Sequence, residues 1–494
     1  MRRYIIGRIF RSIFSIFIVV SIAIVMIYTL VPKENIFFGD NYLSKLGSKP
    51  DEMIQYKNTK WESLGYLDFL EQAAMCKISD DYSGCMVVGS EESLQLKEEY
   101  ESKGYTVNRF PKSGFLYAYR EYNAFELIYN WFTNLIVIDH TNKIEDISNP
   151  YLERKIYIAK DFNGVPALKC SGCENEYLVY FDGQFPFVHQ NFISLNFGVS
   201  YPSYNGIPTM EVISSGQGSY EYQEVTLPSG NTSNTPMDLH SCAYKPTSTL
   251  DRLDREKFTN NYADCNLNYE DPSMISTSYL FGVLALIVSY VIGLPGGIYM
   301  ASHKGKIADK IGTVYINIMI AVPSLAFIYF VKLIGTFFGL PDKFPQFGFS
   351  NILSYILPVL ILGLLSTASL MIWTRRYMVD QSNSDYVKFA RSKGLSQKEI
   401  FNKHILKNAI IPIVNGVPAS IILAISGAVI TETVFAIPGM GKMLPDAIKS
   451  FNNSMVITLT FILTALSVLS LLLGDILITF VDPRIKLDNK GDSR

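Results

Sequence analysis

The chain has 494 residues, 48% of them apolar and 18% charged, with a mean hydropathy of +0.17, a balance that excludes an ordinary soluble enzyme. The formal charge of −2 hides two opposite bodies: residues 32–272 hold 20 Lys or Arg against 34 Asp or Glu, and the remainder holds 23 against 11. The acidic part either steers a basic partner or simply stays soluble.

The first element is an uncharged run from Ser12 to Val31, preceded by Arg2, Arg3, Arg8 and Arg11. About 20 apolar residues suffice to cross a bilayer. A cleavable signal has a shorter core and a small-residue cleavage site, whereas this run ends in Tyr28-Thr-Leu-Val-Pro32, so residues 1–31 read as an N-terminus and a retained first span. Residues 32–272 follow as a polar domain. Short aromatic or alternating segments such as Glu176–Phe181 and Tyr220–Leu227 predict strands, and Glu91–Lys103 and Phe125–Leu135 predict helices. Ser229–Pro236 reads as a turn or mobile loop. The expectation is an α+β insertion of one or two subdomains without internal repeat.

All six cysteines, Cys76, Cys85, Cys170, Cys173, Cys242 and Cys265, fall in this domain. An even count confined to one polar domain argues for disulfides, with 15 possible connectivities. Short separations favour 76 with 85, 170 with 173 and 242 with 265. The Cys170-Ser-Gly-Cys173 spacing also fits a zinc half-site or a redox motif, but no second CxxC and no thioredoxin-like pattern accompanies it.

Further spans are expected at 273–302, 311–335, 352–374, 411–431 and 450–481, with a loop at 375–410 and a tail at 482–494. The fold class is therefore an α-helical membrane protein of six transmembrane helices. With the N-terminus inside, 19 Lys or Arg flank the inner ends of the spans and four (Lys332, Lys343, Lys442, Lys449) the short outer segments, so both termini are expected in the cytosol and the large domain outside. Proline punctuates the spans at 295, 323, 358 and 418, either as hinges or as breaks that neighbouring helices absorb. Ionisable residues are sparse there. Asp475 stands in the last span, where Arg8 or Arg11 is a possible partner, and Lys332 and Glu432 lie toward outer ends. So few charges argue against a proton- or sodium-coupled carrier.

No GxxxxGK[ST] phosphate-binding loop occurs; Gly439-Met-Gly441-Lys442 lacks both the spacing and the hydroxyl residue. Neither a metal cluster nor a nucleophile–base arrangement stands out among the five histidines, so no catalytic residue is assigned. The segment from Arg375 to Lys407 carries eight Lys or Arg against Asp380, Asp385 and Glu399. For charge alone it is an ordinary positive-inside loop. Its internal pattern, Ala390-x-x-x-Gly394 followed by a helical run and Pro412, adds a glycine that lets a turn separate two helical pieces.

That pattern resembles the EAA loop of bacterial ABC importer permeases. Phe389-Ala-Arg-Ser-Lys-Gly-Leu-Ser-Gln-Lys-Glu-Ile400 with His404-x-x-x-Asn408-Ala-x-x-Pro412 is similar to the oligopeptide and dipeptide permease branch. Lys388 and Phe389 replace the first two letters of the general pattern, and Lys407 follows Leu406 where proline is usual. Arg2–Arg11, Gln190–Ser200, Glu432–Gly441 and Asp482-Pro-Arg484 resemble further blocks of that branch, in the same order. The large insertion, with Asp139-His-Thr-Asn-Lys143 and Phe185-Pro-Phe-Val-His-Gln190, resembles the Ami-type oligopeptide permease subunit of streptococci and related Gram-positive bacteria.

The resemblance implies the type I ABC importer permease fold in a bacterial plasma membrane. It implies a coupling helix that inserts into an ATPase groove, with Asp385, Phe389, Ala390, Arg391, Lys393, Gly394, Leu395 and His404 as its candidate residues. The implied partners are a second homologous permease, one or two cytosolic ATPases, a lipid-anchored external peptide-binding protein, the oligopeptide cargo and membrane lipid. Nucleic acid is not among them. No cofactor is expected on this chain, ATP and Mg belonging to the partner ATPases. The rivals are an exporter or mechanotransmitter permease, and a membrane-anchored sensor of peptides or cell-wall fragments whose basic loop engages a signalling partner.

Overall fold

The computed structural model describes residues 2–78, 81–183, 186–216, 218–424 and 429–481. It divides into two compact units. The first comprises 1–23, 273–450 and 455–494, and the second comprises 24–272 and 451–454.

The first unit is helical. Among the described residues four helices are long and apolar enough to cross a membrane: Ile6–Leu30, Met274–Ser302, Leu353–Ser382 and Asn453–Ile476. Two bent pairs raise the number to six if each pair counts as one span. Met274–Ser302 starts where the Ser273 side chain accepts from the Ser276 amide, and it carries Pro295 inside. It packs along Leu353–Ser382, with Phe281, Leu357 and Ile361 buried in one cluster. Gly297 permits the close approach, because a Cβ there would stand 2.6 Å from Thr374 Cβ.

The helices add detail to three of the expected spans. The run at 311–335 is not one rod but two helices, Ile307–Ala321 and Ser324–Phe337, meeting at 107°. Pro323 lacks an amide donor and pushes Val322 to extended dihedrals (φ −75°, ψ 127°), so the first helix stops there and the second begins. The helix of the expected fourth span runs beyond Thr374, through Arg375 and Arg376 to Ser382, so the first part of the expected 375–410 loop is helical. Charged residues with long stems are good helix formers, and charge alone did not mark an end. In the expected fifth span, Ile411–Leu423 is helical and meets Gln397–Ala409 at 43°. Residues 425–428 lie outside the described residues, and a further helix covers Val429–Phe435. The tail at 482–494, with its Asp482-Pro-Arg484 block, also lies outside them, as does Phe185.

The second unit is α+β. Its strands are β1 (Leu67–Glu71), β2 (Thr106–Arg109), β3 (Leu116–Glu121), β4 (Ile136–Ile138), β5 (Lys155–Lys160), β6 (Pro166–Ser171), β7 (Tyr177–Tyr180), β8 (His189–Gln190), β9 (Ile193–Leu195), β10 (Gln223–Thr226), β11 (Thr232–Thr235), β12 (Ala243–Tyr244) and β13 (Tyr262–Asp264). A three-stranded antiparallel sheet runs β1-β3-β2, a four-stranded one β5-β6-β7-β8, and the remaining strands pair two by two. Trp61, Tyr66, Leu67 and Phe69 bury against Phe37 and Tyr201, joining the Pro50–Ser63 helix to the first sheet. The Glu91–Ser102 helix, started by Ser90 accepting from the Ser93 amide, covers the same sheet through Leu96 and Tyr100. The Ala124–Asn134 helix begins with a reciprocal capping box between Asn123 and Glu126.

Ser229–Pro236 is a turn only in its first part. Thr232–Thr235 forms β11, paired with β10 from Gln223↔Thr235 to Thr226↔Thr232, and only the segment between the strands turns. Small polar residues look turn-like in composition, yet Thr suits an exposed hairpin strand.

Candidate functional site

The segment Asp385–Ala409, which holds the candidate coupling residues, is built from three local devices. The first is the helix Asp385–Ser392, whose first-turn Asp385 complements the N-terminal dipole and lies 2.8 Å from Lys388 Nζ. The second is its termination. Gly394 sits at φ +79°, its amide donates to Arg391 O at 2.9 Å, and the Leu395 amide donates back to Ala390 O at 3.3 Å. Those two bonds make a Schellman cap, which needs a left-handed residue at the glycine position. The third is an immediate restart, in which Ser396 and Glu399 form a capping box.

The restart does not settle into regular α-helix. Residues Ile400–Leu406 form a π-helix, followed by Lys407–Ala409, and Asn408 Nδ2 donates to His404 O at 2.9 Å. π-Helical turns are rare and concentrate at functional sites. Val387, Ala390, Ile400, Ile405 and Ala409 bury together with Met378 of the long helix. Ala390 is therefore a packing residue, and its small size lets the two arms of the segment meet. The opposite side faces outward: Phe389 is 61% and Leu395 37% exposed, and Lys393 Nζ stands 4.5 Å from the Phe389 ring centre. Arg391 is also exposed, so the segment presents an apolar and basic projection on a packed base.

A contact that the residue pattern did not reveal connects this region to the broken helix pair. Arg375 donates from Nε to Asp309 Oδ1 at 2.6 Å and from a terminal nitrogen to Oδ2 at 2.8 Å. Asp309 also accepts from the Gly305 amide, which orients the carboxylate. The only sequence signal was a lone acid among Lys304, Lys306 and Lys310.

A second cluster lies in the Glu432–Gly441 block. Glu432 is 2% exposed; it accepts from Ser278 Oγ at 2.7 Å and from the Lys442 amide at 2.8 Å, while Ser278 Oγ accepts from the Met440 amide at 2.8 Å. Lys332 Nζ donates to Val434 O at 2.9 Å. A cavity of about 330 Å³ beside this cluster is lined by Ser278, Phe281, Gly282, Ser366, Ser420 and Glu432, among others. Its hydroxyls offer both donors and acceptors, and Glu432 adds a carboxylate to a wall that is apolar elsewhere. Asp475 pairs with Arg8.

In the second unit the disulfides join Cys76 to Cys85, Cys170 to Cys173 and Cys242 to Cys265. Asp139, from the block that resembles the Ami-type subunit, is buried and accepts from the Glu174 and Asn175 amides at 2.8 Å each. His240 is buried too, with Nε2 2.9 Å from Asp161 Oδ2 and its ring stacked 4.3 Å from Tyr180. Burial pushes the Asp161 carboxyl up, but His240 and the Val165 and Asn163 amides outweigh it and hold the group below the usual carboxylate range.

Residues 293–487 match the family described as binding-protein-dependent transport system inner membrane component. Over 497 aligned residues the chain is 43% identical to the oligopeptide transport system permease protein AmiC of Streptococcus pneumoniae, covering 99% of this chain and 100% of that protein. It is 31% identical to the dipeptide transport system permease protein DppB of Lactococcus lactis subsp. cremoris, over 47% of this chain and 77% of that protein. The methionine ABC transporter MetNI, in inward-facing conformations, overlaps 42% of this chain and 94% of its own at 16% identity and a TM-score of 0.35. The full-length likeness, carried through the second unit as well as the membrane helices, makes this chain a member of the oligopeptide transport permease family.

Proposed function

We propose that the chain is one of two membrane subunits of an ATP-driven oligopeptide importer and forms half of its translocation pathway. The observation that carries this reading is the likeness to an oligopeptide transport permease over 99% of the chain. ATP is hydrolysed on separate cytosolic ATPases, consistent with the missing phosphate-binding loop. The exposed face of Asp385–Lys407, with Phe389, Lys393 and Leu395, docks in a groove of one ATPase. Its packed base transmits the movement to Leu353–Ser382 and Ile411–Leu423, and the Arg375–Asp309 pair carries it to Ile307–Ala321. The cavity beside Glu432 lines part of the peptide route.

In this reading both termini are cytosolic, the second unit is extracellular, and the cell is Gram-positive in type. A lipid-anchored binding protein delivers peptide, and the second unit acts as a collar that receives it. Deleting residues 40–180 with expression preserved must then impair uptake; unchanged uptake would remove the collar role. The coupling role is tested by copurification. Wild-type chain is expected to retain an ATPase, and Gly394→Val to lose it, whereas recovery of a histidine kinase in place of an ATPase would favour the sensor.

A further inference from the structure

The second unit contains a cavity of about 430 Å³ that the transport scheme above leaves unused. Its size falls within the roughly 300–1,000 Å³ of small-ligand sites. The end of the Pro50–Ser63 helix, the Ala124–Asn134 helix and the segment 196–198 all contribute to its wall. Tyr28 ties this wall down by donating to Leu64 O at 2.7 Å.

The lining has a distinctive chemistry. Trp131 and Phe197, with ring centres 6.2 Å apart, supply an aromatic surface. Asn130, Asn134 and Asn196 supply primary amides, each both a donor and an acceptor, which is the complement of a peptide group. Glu62 is the sole charged residue in the lining. Among the described residues no Lys or Arg lines the cavity, so a phosphate or a carboxylate is disfavoured there and an ammonium is favoured. Glu62 is exposed at the rim, and partial desolvation, the larger cause, with the neighbouring Asp68 raises its pKa despite the Phe69 amide.

We propose that this cavity receives the N-terminal end of a peptide, with its α-ammonium on Glu62, its first peptide groups on Asn130, Asn134 and Asn196, and its leading side chain against Trp131 and Phe197. The assignment rests on peptides being the cargo, and it makes the second unit a peptide-contacting domain that selects for a free amino terminus. Sequence tolerance follows, since backbone and terminus supply most of the polar contacts.

The test uses the full-length chain in phosphatidylglycerol nanodiscs, which contain no lipid amine, titrated calorimetrically with hexaalanine and with N-acetyl-hexaalanine. The free-amine peptide is expected to bind at least about tenfold more tightly, the weight of one charge-assisted hydrogen bond. Glu62→Gln is expected to erase that difference. Equal binding of the two peptides by the wild-type chain, no binding of either, or discrimination that survives Glu62→Gln would each overturn the proposal. Displacement of hexaalanine by added phosphatidylethanolamine would assign the amine site to lipid and overturn it as well. ATP-driven uptake by the complete transporter separates the two readings: uptake without discrimination leaves the import function standing and removes only this site.

Discussion

Gly394 holds its turn by conformation and not by space, because a Cβ added there meets nothing within 4 Å while φ stands at +79°. Gly394→Ala therefore strains the backbone by about 1–2 kcal/mol. Asn, which tolerates the left-handed region, should restore coupling better than Val, read as ATPase retained on copurification. Arg375 and Asp309 form a two-pronged pair with the carboxylate side chain 6% exposed. Asp309→Asn or Arg375→Gln should each lower stability by about 1–3 kcal/mol. The double variant should lose less than the sum, with a coupling of about 0.5–3 kcal/mol in thermal unfolding; strict additivity would mean the pair does no structural work. Asp161 is held below the ordinary carboxylate range in the folded state, so its contribution is complete above the unfolded pKa of about 3.9 and is lost as pH falls through the lower folded value. Asp161→Asn should therefore flatten the acid limb of the stability profile below about pH 4 and leave its shape near neutrality unchanged.

Among the elements, Asp385–Ala409 is a helix, a Schellman cap and a restarted helix that passes through a π-turn, all resting on the small Ala390. Ala390→Leu overpacks that base and should cost about 1–3 kcal/mol, with the segment more open to limited proteolysis. Much of this element was readable in advance, since a glycine between two helical patterns and a Ser396-x-x-Glu399 capping signature are local signals. The π-turn was not, because it depends on how the restarted helix meets its neighbours. Hydropathy located the third apolar run and Pro323 marked where it divides, but neither signal carries the 107° angle between the halves. Charge places Arg375 at a span boundary, while its partner lies 66 residues away, beyond any local pattern. Glu432 and Ser278 were hidden for the same reason, being 154 residues apart. Thr232–Thr235 misled in the other direction, since composition is a weaker guide than cross-strand pairing.

For the molecule as a whole, the acidic second unit is stapled while the helical unit contains no cysteine. The Cys242–Cys265 link spans 23 residues, and loop closure on that scale is worth about 3 kcal/mol. Reduction should lower the unfolding temperature of the purified chain, and a Cys242→Ser/Cys265→Ser double variant should reproduce most of that shift; an unchanged melting curve would mean that the staple is dispensable. The short-separation pairing could be read from spacing, whereas the roles of Asp139 and His240 in the interior required the fold. The central claim is that this chain couples ATP hydrolysis elsewhere to peptide movement through its own helices. It is tested most directly by labelled oligopeptide uptake into proteoliposomes holding the chain with its partner permease, ATPases and binding protein. Accumulation should require ATP and this chain, and should fall at least tenfold with Gly394→Val while peptide binding to the external protein persists. Uptake that continues without the chain, or that is indifferent to ATP, would contradict the account.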